Sequence, residues 1–532
     1  MNYRYALPFL LLSATACSRK PFFQPDARVA YTTPLPPTAD SALVTAGRHY
    51  QRGPLGRFVL GPHYRRAWAE PVTLPIFRPE QLAPGGLKFV KMGGGFQTTS
   101  LTMADPAGRS YAVRTIDKNP EKTLPKFLRA TFVFGAVRDA TSAAMPYGAF
   151  VVPPLAKAAG VPHSTPRPYY VRPDETGLGP DSERFQGRVV MVERRYEGKE
   201  NIDGPVAGAT DLDETEDVLP ARYENQRDQL DGAAFVRARL LDMWLGDWDR
   251  HEGQWSWAAY PRPDRQRHWQ PVPQDRDQVF FRFDDGWASW LVSKAVAKFR
   301  TFGPRYESIS GYTRNASFID SRALPAVPRT AYLAAARELQ QRLTDTVIEQ
   351  AVRQGLPAAV YAYEGPRMIA GLKVRRAKLP QVADEFYHLQ AEEVMVAGTD
   401  EKERFVVERR SDTATVVSVY SLEKIPAGQS QGQLLYSRSF DPRDTKTVRL
   451  HGLKGKDEFL VSGKVRRSPF IDIYGGPHED MVRDSSQVAG LRKRTRFFDT
   501  ARNNDFQRGS EIKDKTSHDV LSHAFDRDGS GR

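Results

Sequence analysis

Two short segments of this 532-residue chain concentrate side chains able to do chemistry. The first reads Leu245-Gly246-Asp247-Trp248-Asp249-Arg250-His251-Glu252-Gly253-Gln254-Trp255. The second starts sixteen residues after Trp255 and reads Pro271-Val272-Pro273-Gln274-Asp275-Arg276-Asp277-Gln278-Val279-Phe280. A carboxylate, an amide five residues on and a second carboxylate on a following strand are parts that phosphoryl transfer requires. One carboxylate stands at the attacking hydroxyl; an amide oxygen and another carboxylate hold a divalent ion against phosphates. Asp249 suits the first role, orienting or deprotonating an acceptor. Gln254 and Asp275 suit the second. Asp277 is the alternative metal ligand, with the P-x-D register favouring Asp275. Asp247 caps or orients the loop, and Arg250 and His251 hold it together. Seven of the eight tryptophans lie between Trp244 and Trp290, and charges packed among them are costly to bury without a metal or ion pairs.

Such side chains need a helix leading into the first segment and a strand leading into the second. Asp231 predicts the N-cap of a helix whose apolar face uses Phe235, Leu240, Met243 and Trp244, ended by Gly246. Upstream the pattern is β. Leu87–Lys91 alternates, Gly93-Gly94-Gly95 turns, Thr98–Met103 alternates, and Ser110–Arg114 returns after Pro106-Ala107-Gly108. A glycine loop between strands lets amides approach phosphate closely, and the same triplet also suits a plain turn. Arg114 stands where a strand cation would meet phosphates, with Lys118 in reserve. Helical spacing from Pro125 to Ala144 carries Asp139, open to pairing with Arg114 or to a place on the helix surface. Strands follow at Tyr169–Arg172 and Val189–Val192. Glu193 ends the second, where a nucleotide hinge and an edge-strand glutamate fit equally. Gly204–Glu224 reads as an acidic loop. Helices are expected over Ala331–Gln354 and Gly371–Val396, the latter broken at Pro380.

Asp249-Arg250-His251 with Gln254 resembles the DRHxxN segment of atypical kinases, among them HipA-type toxin kinases, the phosphoinositide-kinase-like group and secretory-pathway kinases. Pro273–Asp277 resembles the P-x-D-x-D metal strand of CotH-type spore-coat kinases. More closely, the chain resembles Bacteroidetes outer-membrane proteins of unassigned activity, on GGGFQTTSL at Gly93–Leu101, GDWDRHEGQW at Gly246–Trp255 and VPQDRDQVF at Val272–Phe280. The likeness runs from about Tyr50 to Phe498, and many members continue into a surface-antigen or BamA/TamA-like barrel. It implies an α+β chain: a two-lobed atypical protein-kinase-like domain at 86–392, its lobes meeting near residue 200, then a mainly β domain at 393–499. It also implies Mg²⁺ or Mn²⁺ with ATP or another nucleotide. Two departures count. Gln254 replaces the usual Asn, and Arg114 replaces the strand Lys, with which it is not interchangeable. A catalytically inactive scaffold is therefore the competing expectation.

The remaining sequence bears on location. Lys+Arg exceed Asp+Glu by 13, but the excess is spread along the chain, and no specific nucleic-acid partner is expected. No run of about 20 apolar residues could span a bilayer. Residues 1–16 have the basic start, short apolar core and small residues of a secretory signal. Cys17, the single cysteine, follows them as in a bacterial lipobox, with Ala14 in place of the usual Leu. An outer-membrane lipoprotein held by acyl chains on Cys17 is the expectation, with an envelope protein or glycan as acceptor. Such a location meets little ATP, which leaves adenylyl transfer or another phosphoryl donor open. Residues 17–85 read as a Pro-rich tether and N-terminal wrap, ordered from near Thr45, and 500–532 as a loose tail. Gly452–Asp457 and Gly475–Asp480 echo the GGxGxD turns of calcium β-rolls, but Lys454, Lys456 and Glu479 break the pattern, so plain turns are expected. The chain lacks the histidine motifs of a calcineurin-like phosphatase and the GxSxG elbow of a serine hydrolase.

Overall fold

The computed structural model describes residues 22–93, 99–123, 125–129, 131–262, 266–423, 432–500, 504–518 and 524–527. The expectations for Cys17, Gly94 and Gly95 lie outside them. The architecture is α+β with a sheet-rich C-terminal region. Three units follow one another, and each buries its own apolar face.

The first is a five-stranded antiparallel sheet of β1 (Lys88–Gly93), β2 (Ser100–Ala104), β3 (Ser110–Thr115), β4 (Arg167–Tyr170) and β5 (Val189–Arg194), in the order β1-β2-β3-β5-β4. Leu101, Met103, Val113, Val190 and Val192 fill its core. Between β3 and β4 lie helices α1 (Phe132–Asp139) and α2 (Val152–Ala159). The expected helix from Pro125 is thus shorter, its start replaced by the 3-10 turn Lys126–Leu128, where Phe127 stays exposed.

The second unit is helical around a small sheet. β6 (Asp211–Glu214) leads into α3 (Thr215–Glu224), β7 (Asp228–Leu230) and α4 (Gly232–Leu245). The acidic stretch is therefore a strand and a helix, because Val218, Leu219 and Tyr223 give it a buried face. β8 (Trp255–Pro261) and β9 (Arg267–Pro273) form a hairpin, and the sheet order is β6-β8-β9-β7. The helix α5 (Trp287–Ala295) follows, and then α6 (Arg329–Arg342), α7 (Asp345–Gly355), α8 (Ala358–Ala377) and α9 (Leu379–Ala391). The helical stretch around Pro380 is interrupted at Lys378, with Pro380 in the first turn of α9, while Pro366 lies inside α8. No helix among the described residues is long and apolar enough to cross a membrane.

The third unit winds as a two-faced solenoid. One face holds β10 (Glu393–Ala397), β14 (Thr447–His451), β16 (Phe470–Tyr474), β18 (Thr495–Phe498) and β20 (Ile512–Asp514), all parallel. The other holds β11 (Glu403–Ser411), β15 (Glu458–Ser462), β17 (Met481–Asp484) and β19 (Asp505–Gln507), also parallel. The hairpin partners β12 (Ala414–Ser421) and β13 (Leu434–Phe440) extend the second face. Phe459 pairs with Val482 and Val482 with Phe506, a coil of 23 and then 24 residues. Val396, Phe405, Leu450, Phe459, Ile473 and Phe497 pack between the faces, and His451, Tyr474 and Phe498 stack at 4.4 and 4.8 Å.

Both ends differ from expectation. Residues 22–44 are not a tether: the Tyr170 hydroxyl donates to buried Asp26 at 3.0 Å, Gln24 Nε2 to the Thr45 carbonyl at 3.0 Å, and Ser41–Val44 pairs with Val72–Pro75. Nor does the β region stop at 499, since β19 and β20 complete the last coil. Phe525 packs on Tyr223 and His451, and Arg527 pairs with Asp400. Arg and aromatic residues in Pro-rich company still bury when a neighbouring sheet supplies partners.

Candidate active site

The hairpin β8–β9 explains the sixteen-residue spacing of the two motifs. Trp255, the first motif's last residue, faces Pro273 across it, so Gln254 lies beside Gln274. Gln274 N donates to the Gln254 carbonyl at 2.9 Å, and Phe280 N returns the second segment to the Leu245 carbonyl at 2.9 Å. Asp231 accepts from Ala234 N at 3.0 Å and caps α4; Gly246 ends it in the left-handed region at φ 74°.

One buried carboxylate ties these pieces together, and the sequence did not single it out. Asp242, in the last turns of α4, accepts from Arg250 Nε at 3.3 Å and Arg239 Nη1 at 3.3 Å and pairs with Arg276 at 2.6 Å. It links helix, first motif and second motif. Arg250 donates further to Gln254 Oε1 at 2.8 Å and to the Gln274 carbonyl at 2.7 Å, with its guanidinium 4.6 Å from the Trp255 ring centroid. His251 Nδ1 accepts from Gly253 N at 3.2 Å, capping the short turn before β8. Asp247 is fully buried; its Oδ1 accepts from Asp249 N at 3.3 Å. Burial pushes its carboxyl up to about 7 against the opposing pull of Arg250. A charged residue inside the apolar run Leu240–Leu245 was the available signal for Asp242.

Asp249 Oδ1 accepts from Asn315 Nδ2 at 2.8 Å, and Lys298 Nζ donates to Asn315 Oδ1 at 3.3 Å. Lys298 also lies 4.7 Å from the Trp248 ring centroid. Burial lowers its pKa, with Asp249 pulling the other way. Asn315 and Lys298 lie outside both motifs, and nothing in their local sequence marks them.

From β3 and the segment that follows it, two cations reach the second motif. Arg114 on β3 pairs with Glu193 on β5, and its Nε stands 3.8 Å from Asp275 Oδ2. Lys118 Nζ is 2.6 Å from Asp277 Oδ2. Burial works against the Lys118 charge, but Asp277, Asp275 and Asp249 outweigh it and raise its pKa. Arg114 is likewise raised, by Asp275, Glu193 and Asp277 against burial. Burial raises the Glu193 carboxyl despite Arg114. Glu193 also accepts from Ser164 Oγ at 2.5 Å, which makes it the buried partner of Arg114. Asp139 does not pair with Arg114: it is held by Arg65 (2.9 Å from Oδ1) and by Arg52 at 2.8 Å. The N-terminal wrap supplies both of those arginines. Gly93 closes β1 opposite Ser100.

The donor set admits a divalent ion at one carboxylate. Asp275 adopts φ 48°, a conformation rare outside glycine, and its buried Oδ1 has no hydrogen-bond partner among the described residues. Asp277 is engaged on both oxygens, by Lys118 and by Gln278 Nε2 at 2.9 Å. The Gln254 carbonyl faces the Arg250 guanidinium, an unsuitable neighbour for a cation. Among the described residues no three His, Cys, Asp or Glu side chains form a metal cluster, so an ion at Asp275 would need phosphate oxygens or water to complete its shell.

No family model matches the chain, and no curated protein matches it. Similar solved structures include HipA of Shewanella oneidensis MR-1 in complex with HipB and operator DNA, at 11% identity, covering 59% of this chain and 76% of that one, with a TM-score of 0.25. Another is the Golgi casein kinase with Mn/ADP bound, at 11% identity, covering 58% and 75%, TM-score 0.28. A third is the Rio2 kinase–ADP/Mg²⁺–phosphoaspartate complex from Chaetomium thermophilum, at 13% identity, covering 55% and 71%, TM-score 0.26.

Proposed function

We propose that the chain is an atypical kinase-like phosphotransferase that uses a Mg²⁺ or Mn²⁺ nucleotide, anchored to the outer membrane through lipid on Cys17 and acting on an envelope protein or glycan. One observation carries the reading: Arg114 on β3 and Lys118, three residues past its end, meet Asp275 and Asp277, from the other lobe, within the field of Asp249. Two cations and three carboxylates at one junction suit a triphosphate–metal complex and a hydroxyl acceptor. The ion, when bound at Asp275, would neutralise charge on the phosphates. Arg114 and Lys118 bind phosphate oxygens. Asn315 fixes Asp249 Oδ1, leaving Oδ2 to accept the acceptor's proton as its oxygen bonds to phosphorus and the donor's phosphoanhydride bond breaks.

The experiment is thermal unfolding of the full chain with and without Mg²⁺ and ATP, beside Asp275→Asn. Nucleotide at about 100 times its Kd adds about 2.7 kcal/mol. A shift in the wild type that Asp275→Asn loses supports the reading; no shift with any nucleotide overturns it. A second reading, an inactive scaffold for envelope assembly, is favoured by the Arg250–Gln254 bond, which occupies one proposed metal ligand. Binding without turnover would select it. Anchoring is tested separately: Cys17→Ser should lose palmitate incorporation and leave the membrane fraction.

A further inference from the structure

The turns that join the two faces of the solenoid repeat a pattern with no part in the phosphotransfer reading. They run Gly398–Glu403, Gly452–Asp457 and Gly475–Asp480, each starting after a strand of one face and leading to a strand of the other, and Asp499 and Asn504 hold the corresponding places after β18 and before β19. Their last side chains form a ladder. Asp457 Oδ1 accepts from Glu403 N at 2.8 Å, Asp480 Oδ1 from Asp457 N at 2.8 Å, and Asn504 Oδ1 from Asp480 N at 2.9 Å. That accounts for one oxygen of each carboxylate.

The other oxygens are left over. Oδ2 of Asp457, Asp480 and Asp499 is buried with no hydrogen-bond partner among the described residues, and none of the three side chains is more than 1% exposed. No ion pair is formed by any of them there. Lys454 instead reaches Asp400 at 2.8 Å and Lys456 reaches Glu479 at 3.3 Å, both on the solvent side. The lysines expected to spoil a cation site therefore point away from it.

The orphan oxygens also converge. Neither Gly452 nor Gly475 has a positive φ, so backbone conformation does not demand glycine there. A Cβ on Gly475, however, would overlap Oδ2 of both Asp480 and Asp499. One on Gly452 would overlap Asp457 Oδ2 and stand 2.7 Å from the Gly475 carbonyl oxygen. The glycines keep open the space into which the oxygens point.

We propose that calcium binds between successive coils, one ion at Asp457 Oδ2 and the Gly475 carbonyl, the next at Asp480 Oδ2 and Asp499 Oδ2. Carboxylate and main-chain oxygens without nitrogen or sulfur suit a hard cation. Coils about 4.8 Å apart are bridged by an ion about 2.4 Å from each oxygen, which is the calcium distance; magnesium, at about 2.1 Å, falls short. Each ion would replace the repulsion of stacked buried carboxylates with ligation, and water would fill the rest of its shell.

The test uses the full chain: equilibrium dialysis against ⁴⁵Ca up to about 10 mM, above the weak range of extracellular modules, and thermal unfolding in EDTA, Ca²⁺ or Mg²⁺. The expected result is uptake of up to two ions and a rise in unfolding temperature with Ca²⁺ but not with Mg²⁺. Asp480→Asn keeps the ladder hydrogen bond and should weaken uptake of one ion at least tenfold. Should that variant not fold, Gly475→Ala blocks the same space. Asp275→Asn should leave calcium uptake intact, which separates this site from the phosphotransfer site. No uptake by the wild type, equal stabilisation by Mg²⁺, or full uptake by Asp480→Asn or Gly475→Ala would overturn the proposal.

Discussion

At the scale of residues, Asp242 holds the site together, and Asp249 is the group that the proposed reaction would use. Three arginines, Arg239, Arg250 and Arg276, converge on Asp242, and all four side chains are buried. Asp242→Ala should cost about 3–5 kcal/mol, because guanidinium charge is left buried and uncompensated; a urea titration reads this directly. Asp249→Ala should instead leave the Mg-nucleotide shift in unfolding temperature intact while lowering phosphotransfer by roughly 10²–10⁴-fold. Asp247 sets a pH signature. Its carboxyl is pushed up to about 7 by burial, with Arg250 and Arg276 opposing and Asp242 and Asp249 adding to the rise. The folded state therefore holds this proton more tightly than the unfolded chain does. Its contribution to stability is fully present below the ordinary aspartate range and is lost as pH rises through about 7. The stability of the wild type relative to Asp247→Asn should fall between pH 5 and pH 8, and a constant difference would contradict the assignment.

At the scale of elements, α4 and the hairpin β8–β9 are the frame of the site. The Asp231 cap and the left-handed Gly246 fix both ends of α4. Asp231→Ala should lower stability by about 1 kcal/mol, since one orphan amide loses its acceptor. Arg375 on α8 holds the other side of that helix end. It is fully buried and donates to the carbonyls of Trp244 at 2.9 Å, Gly303 at 3.2 Å and Arg305 at 3.0 Å. These carbonyls lie at the C-terminus of α4 and in the segment after α5, so one side chain couples α4 to the chain that follows the second motif.

At the scale of the whole molecule, the solenoid is fastened to the helical unit and not tethered to it. Arg222 donates to the Gly398 carbonyl at 3.0 Å, Tyr436 to the Pro325 carbonyl at 2.9 Å, and Phe525 covers Tyr223 and His451. Ending the chain at residue 499 removes β19, β20 and this cover. The open edge strands β17 and β18 should then lower the unfolding midpoint and promote association, as light scattering beside a urea titration would show.

How much of this was legible follows from the range of the interactions. Local rules carried the cap at Asp231, the stop at Gly246, the strands of the first sheet and the two acidic motifs, because capping, alternation and turn chemistry act over a few residues. A mainly β domain at 393–499 was likewise expected. The 23–24-residue winding stayed hidden, because a 54-residue first turn, containing β12 and β13, separates Val394 from its partner Val448. Only the tertiary structure decided which charges meet. Asp139 goes to Arg52 and Arg65 across 87 and 74 residues of chain, Arg114 to Glu193 across 79, and Asp249 to Asn315 across 66. A side chain's type is written in the sequence, but a buried charge takes whichever partner folding delivers to it, and that delivery depends on how distant elements pack.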